Sequence, residues 1–202
     1  MKNFIEESGM TGHLTIIKRT KDGKEEILLD DHNVIVSGMG VGLSYMFTGS
    51  GSNSVLDYQI DRFQVGVSGP PTGGATSAIY ELSSSLDSIA EYGVGSNLFI
   101  SRNDQITNGT LTSNRFFAQI PSHKITRVND TSVRYTLVLD EDAANGLTDS
   151  QGEETFLNEI GMFMKNPKGN NVDQPILVCY RTFSNIRKTS DFSLIFRWTL
   201  NF

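Results

Sequence analysis

Residues 175–202, PILVCYRTFSNIRKTSDFSLIFRWTLNF, decide the fold. In the closing part, Leu194, Phe196, Trp198, Leu200 and Phe202 fall on one side of an extended chain and Ile195, Arg197, Thr199 and Asn201 on the other, because successive side chains of a strand alternate between faces. Burying large apolar side chains stabilises by roughly 1.5 to 3 kcal/mol each before entropy is subtracted. A strand inside a sheet is therefore expected, with Phe202 packed at its end. Upstream, Ile176, Val178 and Tyr180 alternate with Leu177, Cys179 and Phe183, the pattern of a strand covered on both faces. Between the two runs, the polar stretch Ser184 to Asp191 is long enough for a hairpin-type loop. It places Arg187 and Lys188 at a solvated tip, where they are candidate subunit contacts.

The chain has 202 residues, of which 38% are hydrophobic and 20% charged. That composition supports a packed core and lies far from the disordered regime. A mobile arm over residues 1–12 and a single β-rich domain over residues 13–202 are expected. The formal net charge of -6 argues against a nucleic-acid partner, since affinity for phosphates comes from Lys and Arg displacing counterions. A lone cysteine cannot close an intrachain disulfide, and Cys179, set in an apolar run, reads as a buried inert thiol. The opening MKNFIEESGM carries Glu6 and Glu7 and no apolar run, so no secretory signal is read there. No stretch approaches the roughly 18 consecutive apolar residues of a spanning helix. The expectation is a protein made in a cytoplasm, without a membrane partner.

Along the chain, His13 to Thr20 alternates as a strand, Lys21-Asp22-Gly23-Lys24 supplies Asp-Gly turn chemistry, and Glu25 to Leu29 returns, which predicts a β-hairpin. Asp30, Asp31, His32 and Asn33 read as a polar joint, and Val34 to Val36 as a short strand or a helix start. Val36, Met39, Leu43, Met46 and Phe47 share one helical face, and Gly38, Gly40 and Gly42 suit a closely packed helix although each costs about 1 kcal/mol against alanine. Tyr58 to Gly69 reads as a strand in which Gly66 marks a bulge or a close backbone approach. Thr76 to Leu86 has helical spacing behind an N-cap at Thr76 or Ser77, and a strand is read near Leu98 to Ser101. Arg115 to Ile120, Ser132 to Asp140 and Phe156 to Met164 are strands, with turns at Val128 to Thr131 and Asn166 to Gly169. About eight or nine strands with one or two short helices predict a mainly β chain, an antiparallel β-sandwich or jelly-roll-like domain. Ile160, Phe163, Val178, Tyr180, Phe196, Trp198 and Phe202 are its expected core.

Chemistry is sparse. His13, His32 and His123 lie far apart in sequence and lack neighbours at ligand spacing, so they read as ordinary surface or strand histidines rather than as a metal site. The acidic run Asp140, Asp142, Asn145, Gly146 fails the EF-hand template, because its glycine falls one place late and Gln151 stands where glutamate is required. It reads as a solvated loop, with a looser cation site as the alternative. The Gly38 to Gly42 block matches neither a dinucleotide turn nor a phosphate loop, and no G-x-S-x-G elbow occurs. The expectation is no enzyme, no cofactor and no small-molecule substrate.

Two blocks carry a resemblance: Asn158-Glu159-Ile160-Gly161-Met162-Phe163 and KTSDFSLIFRWTLNF from Lys188 to Phe202. Together with HNVIVSGMGVGLSYMF and FQVGVSG near the front, they resemble small tailed-bacteriophage virion proteins of the tail, baseplate and neck, over about His13 to Phe202. The resemblance implies a non-enzymatic assembly protein located in the virion, a symmetric homo-oligomer whose partners are copies of itself and other virion proteins. Two other readings stay open. One is a capsid decoration protein, and the other is a host-carbohydrate-binding tip module using Tyr58, Tyr92 or Asp104.

Overall fold

The computed structural model describes residues 9–35, 37–48, 59–66, 111–112, 115–145, 156–165 and 176–202. Among these residues ten strands run in chain order: β1 (Thr11–Thr20), β2 (Glu25–Ile35), β3 (Ile60–Gly66), β4 (Leu111–Thr112), β5 (Arg115–Gln119), β6 (Ile125–Asn129), β7 (Ser132–Leu139), β8 (Leu157–Met164), β9 (Ile176–Ile186) and β10 (Phe192–Asn201). The helix α1 (Ser37–Thr48) follows β2, and a 3-10 turn over Ser122–Lys124 precedes β6. The strand order is β4-β5-β3-β8-β9-β2-β1-β10-β7-β6. Every pairing is antiparallel. The chain is therefore mainly β and sandwich-like, as the alternation predicts.

β2 belongs to both halves. Its residues from Glu25 to Asn33 pair with β1, and only Val34 and Ile35 pair with β9, opposite Tyr180 and Cys179. A register shift at Ile16/Ile17, where Leu28 is the extra residue on β2, adds the local twist and bend that a bulge supplies. The halves then meet face to face, with the rings of Phe183 in β9 and Phe196 in β10 6.3 Å apart.

The core is laid down in cross-strand rows. Leu14, Trp198 and Tyr135 lie opposite one another on β1, β10 and β7, and Ile16, Phe196 and Leu137 form the next row. All six are buried, as are Ile160, Phe163, Val178 and Tyr180 in the other half. Burial pushes the Cys179 thiol and the Tyr135 phenol above their ordinary pKa ranges, which keeps both neutral. The Trp198 indole N–H is buried and has no hydrogen-bond partner among the described residues, a cost of about 1 to 3 kcal/mol that the burial of its large ring offsets.

Several expectations need correcting. The closing stretch is not a hairpin: β9 pairs with β8 and β2, whereas β10 pairs with β1 and β7, so residues 187–191 cross between halves. Both runs are apolar on both sides, and each finds a sheet neighbour on either edge instead of pairing with the other. Phe202 lies one residue beyond β10 and is 51% exposed, although its N–H donates to Thr131 O at 2.8 Å. Phe47, at the last turn of α1, is 81% exposed, whereas Met39 is buried and Leu43 and Met46 pack partly against the core. Thr11 and Gly12 belong to β1, opposite Asn201 and Leu200, rather than to an arm. Asp30 to Asn33 continue β2 instead of breaking it, with the Asp30 carboxylate held by His13 and Thr15 of β1 and that of Asp31 by Arg181 of β9. Ile125 to Asn129 is a strand, so the turn contracts to Asn129–Ser132. The irregularity on β3 falls at Asp61, not at Gly66. Glycine packing of the helix holds at Gly42, where a Cβ would collide with the Met164 side chain. The second helix read at 76–86 and the strand read at 98–101 lie outside the described residues.

Trp198→Ala is expected to lower unfolding free energy by about 3 to 5 kcal/mol in denaturant titration, and Phe202→Ala by less than about 0.5 kcal/mol. Equal effects would place the closing aromatics in one environment, contrary to their burial.

Candidate functional site

The outward face of β2, β1, β10, β7 and β6 gathers polar chemistry that is dispersed in sequence. The β1–β2 turn closes with Gly23 N–H donating to Thr20 O at 2.9 Å, and Gly23 adopts φ +83, a conformation open to glycine without steric cost. From that turn, uninterrupted pairing would set Asp31 opposite His13. The extra residue at Leu28 moves the register by one, so His13 faces His32 and Thr15 faces Asp30. One row then reads His32, His13, Thr199, Arg134, Thr126 across the five strands, and the next reads Asp30, Thr15, Arg197, Thr136 across four.

The two imidazoles meet edge to face, with centroids 5.6 Å apart. His13 Nε2 lies 2.8 Å from Asp30 Oδ1, and the Thr15 hydroxyl donates to the same oxygen at 2.8 Å. The His13 contact, followed by the Thr15 hydrogen bond, holds the Asp30 carboxyl below its ordinary range. The neighbouring Asp31 carboxyl is lowered by the His32 backbone N–H and by Arg181, whose Nη2 donates to Asp31 Oδ2 at 2.7 Å. Thr15 does not form a nucleophile–base couple with His13, because its hydroxyl proton is committed to Asp30. Arg134 Nε donates to Thr199 Oγ1 at 3.3 Å. At one end, Ser132 Oγ donates to Asn201 Oδ1 at 2.7 Å and Asn201 Nδ2 to Thr11 Oγ1 at 3.2 Å.

A second polar cluster contradicts the solvated-tip reading of Lys188. Its side chain turns inward and the residue is only 5% exposed. Nζ donates to Thr189 O at 2.9 Å, Asn145 Oδ1 at 3.1 Å and Glu141 O at 3.2 Å, which occupies all three ammonium protons. The Phe192 ring lies 5.3 Å from Nζ, within cation–π range. Asn145 Nδ2 also donates to Glu141 O at 2.6 Å, and Ala144 holds φ +58 with its methyl group in the core. The loop over residues 140–145 thus closes around the chain's own ammonium. Burial pushes the Lys188 pKa down, while Glu141, Asp140, Asp142 and Asp191 push it back up. Lys188 is therefore unsuited to a subunit contact, whereas Arg187 is exposed.

The remaining buried polar groups are internal. Glu159 is fully buried and accepts the Tyr180 hydroxyl at 2.7 Å. Asp61, also buried, takes Arg62 Nε at 2.8 Å with Lys165 Nζ 3.8 Å away. His123 sits in the 3-10 turn, away from the histidine pair. Among the described residues no group of three or more His, Cys, Asp or Glu could hold a metal, and no helix is long and apolar enough to cross a membrane. Tyr58, Tyr92 and Asp104 lie outside the described residues. Searches against protein-family models, curated proteins and solved structures find no match.

Sequence reasoning missed the His13–His32 pair because its register depends on a bulge, and it missed the Lys188 knot because a lysine in a polar run looks solvated. The hairpin turn was the one available signal for the first, and the acidic run 140–145 for the second.

Two outcomes are expected. Lys188→Met leaves three acceptors without their donor, so denaturant titration shows a loss of about 1 to 3 kcal/mol and the 140–145 loop becomes cleavable in limited proteolysis. Asp30→Asn lowers the melting temperature near neutral pH. Because the folded-state pKa of Asp30 is depressed, the stability it adds is present above its unfolded pKa and lost as pH falls through the folded value. The difference between wild type and Asp30→Asn therefore vanishes in strong acid.

Proposed function

We propose that this chain is a non-enzymatic structural protein of a tailed-bacteriophage particle, assembling in the tail, baseplate or neck as a symmetric homo-oligomer that bridges neighbouring components. One observation carries the assembly half of this reading. Large apolar side chains lie open on several strands and at a helix end: Ile27 at 63% and Leu28 at 37% exposed on β2, Val128 at 45% on β6, and Phe47 at the end of α1. Open apolar groups on edge strands favour association with another chain. Among the described residues β6 ends the strand order, and it is solvated along most of its length, as an edge open to a second chain would be.

The virion half is supported by the resemblance of residues 158–163 and 188–202. These blocks are core strands here, with β8 buried at nearly every position. Their residues build the fold rather than a reaction site, as suits an assembly protein.

The expected result is a discrete oligomer by light scattering of the purified protein, and the polypeptide present in purified particles by mass spectrometry. A strict monomer that is absent from particles would refute the proposal.

A further inference from the structure

We propose that the outward face around Arg134 and Arg197 receives the acidic corner Asp140–Asp142 of a second copy of this chain, head to tail. The inference rests on the homo-oligomer reading above and names the contact that would build it.

The first observation concerns arginine partners. Arg19, Arg62, Arg127 and Arg181 each contact a carboxylate, Glu25, Asp61, Asp130 and Asp31 respectively. Among the described residues, Arg134 has the Thr199 hydroxyl as its hydrogen-bond partner and no carboxylate, and Arg197 has no hydrogen-bond or ion-pair partner. The two guanidiniums are diagonal neighbours on β7 and β10, since Arg197 faces Thr136 and Thr199 faces Arg134; diagonal positions of adjacent strands are roughly 7 to 8 Å apart. Thr136 and Thr199 stand directly opposite them on the paired strands, where their hydroxyls add polar groups to the same face. A planar guanidinium favours a carboxylate that it can hold with two parallel hydrogen bonds.

The second observation is the matching acid. In a chain of net charge -6, residues 140–154 carry Asp140, Glu141, Asp142, Asp149, Glu153 and Glu154 and no Lys or Arg. Asp140 and Asp142 are exposed, and Lys188 fixes the backbone beneath them through Glu141 O and Asn145 Oδ1. The corner is therefore presented in a set shape, which lowers the ordering cost of docking.

The two patches cannot meet within one chain. Asp140 follows the end of β7 and Arg134 lies six residues earlier, roughly 20 Å at the rise of an antiparallel strand, with the strand itself holding them apart. Two different patches on one subunit make a heterologous contact, which closes into a ring when the rotation per step allows it. A nucleic acid fits the face less well, because the net charge opposes a polyphosphate approach.

Charge exchange tests the contact. R134E/R197E and D140K/D142K are each expected to weaken self-association by at least about tenfold, or 1.4 kcal/mol, in sedimentation velocity at low salt. An equimolar mixture regains assembly, since each defective patch then meets its complement, and high salt dissociates the wild type. R134Q/R197Q and D140N/D142N serve where a reversed charge prevents folding, and each is expected to lose association as well. Wild-type association in these variants, or a folded mixture that fails to recover, overturns the contact. An oligomer that is indifferent to all four substitutions overturns this contact alone, whereas a wild type that is monomeric at every concentration overturns the oligomer reading beneath it.

Discussion

The structure depends on the pairing of β1 with β10. Their register runs without interruption from Thr11 opposite Asn201 to Thr20 opposite Phe192, and it sets Leu14 against Trp198 and Ile16 against Phe196. β7 extends these rows with Tyr135 and Leu137, which gives the β10 half a continuous apolar floor on which Phe183 of β9 packs. Since these partners are separated by most of the chain, little of the core can form before the chain has closed its longest loop. Loop-closure entropy must be met before these contacts contribute. Local elements, the β1–β2 hairpin above all, are the segments able to form early.

How much of this was legible in sequence follows from the range of each interaction. The β1–β2 hairpin, α1 and the alternation of β7, β8, β9 and β10 follow from local periodicity and turn chemistry, so the chain announces them. Partner choice does not. Residues 176–186 and 192–201 are both apolar on both sides and adjacent in sequence, which invites a hairpin, yet two sided burial is equally satisfied when each is central in its own half. Phe202 continues the period-two pattern of Trp198 and Leu200, but the pattern does not say where the sheet stops. Phe47 likewise keeps the helical spacing of Met39 and Leu43 one turn past the ground that α1 covers. The outward face was legible as polar strand positions and illegible as a cluster, because one inserted residue at Leu28 decides whether His13 meets Asp31 or His32.

Two buried polar groups fix the geometry around them through their hydrogen bonds. Lys188 replaces water with three oxygen acceptors, and the fully buried Glu159 takes the Tyr180 hydroxyl. Such groups are costly when unpaired, so each fixes the geometry around it: Lys188 ties the 140–145 loop to the crossing between halves, and Glu159 ties β8 to β9. The Trp198 indole N–H, without a partner among the described residues, is tolerated because the fully buried ring contributes more than the lost hydrogen bond costs.

The antiparallel register of β1 and β10 also sets the response of the molecule to load. Thr11 and Asn201 are direct neighbours, so tension applied between these two points acts across a single pair and opens the seam one rung after another. Force entering through β2 or β7 instead runs along strands flanked on both edges and must shear many hydrogen bonds at once. A sheet built this way is soft when pulled apart at Thr11 and Asn201 and stiff when loaded along its flanking strands.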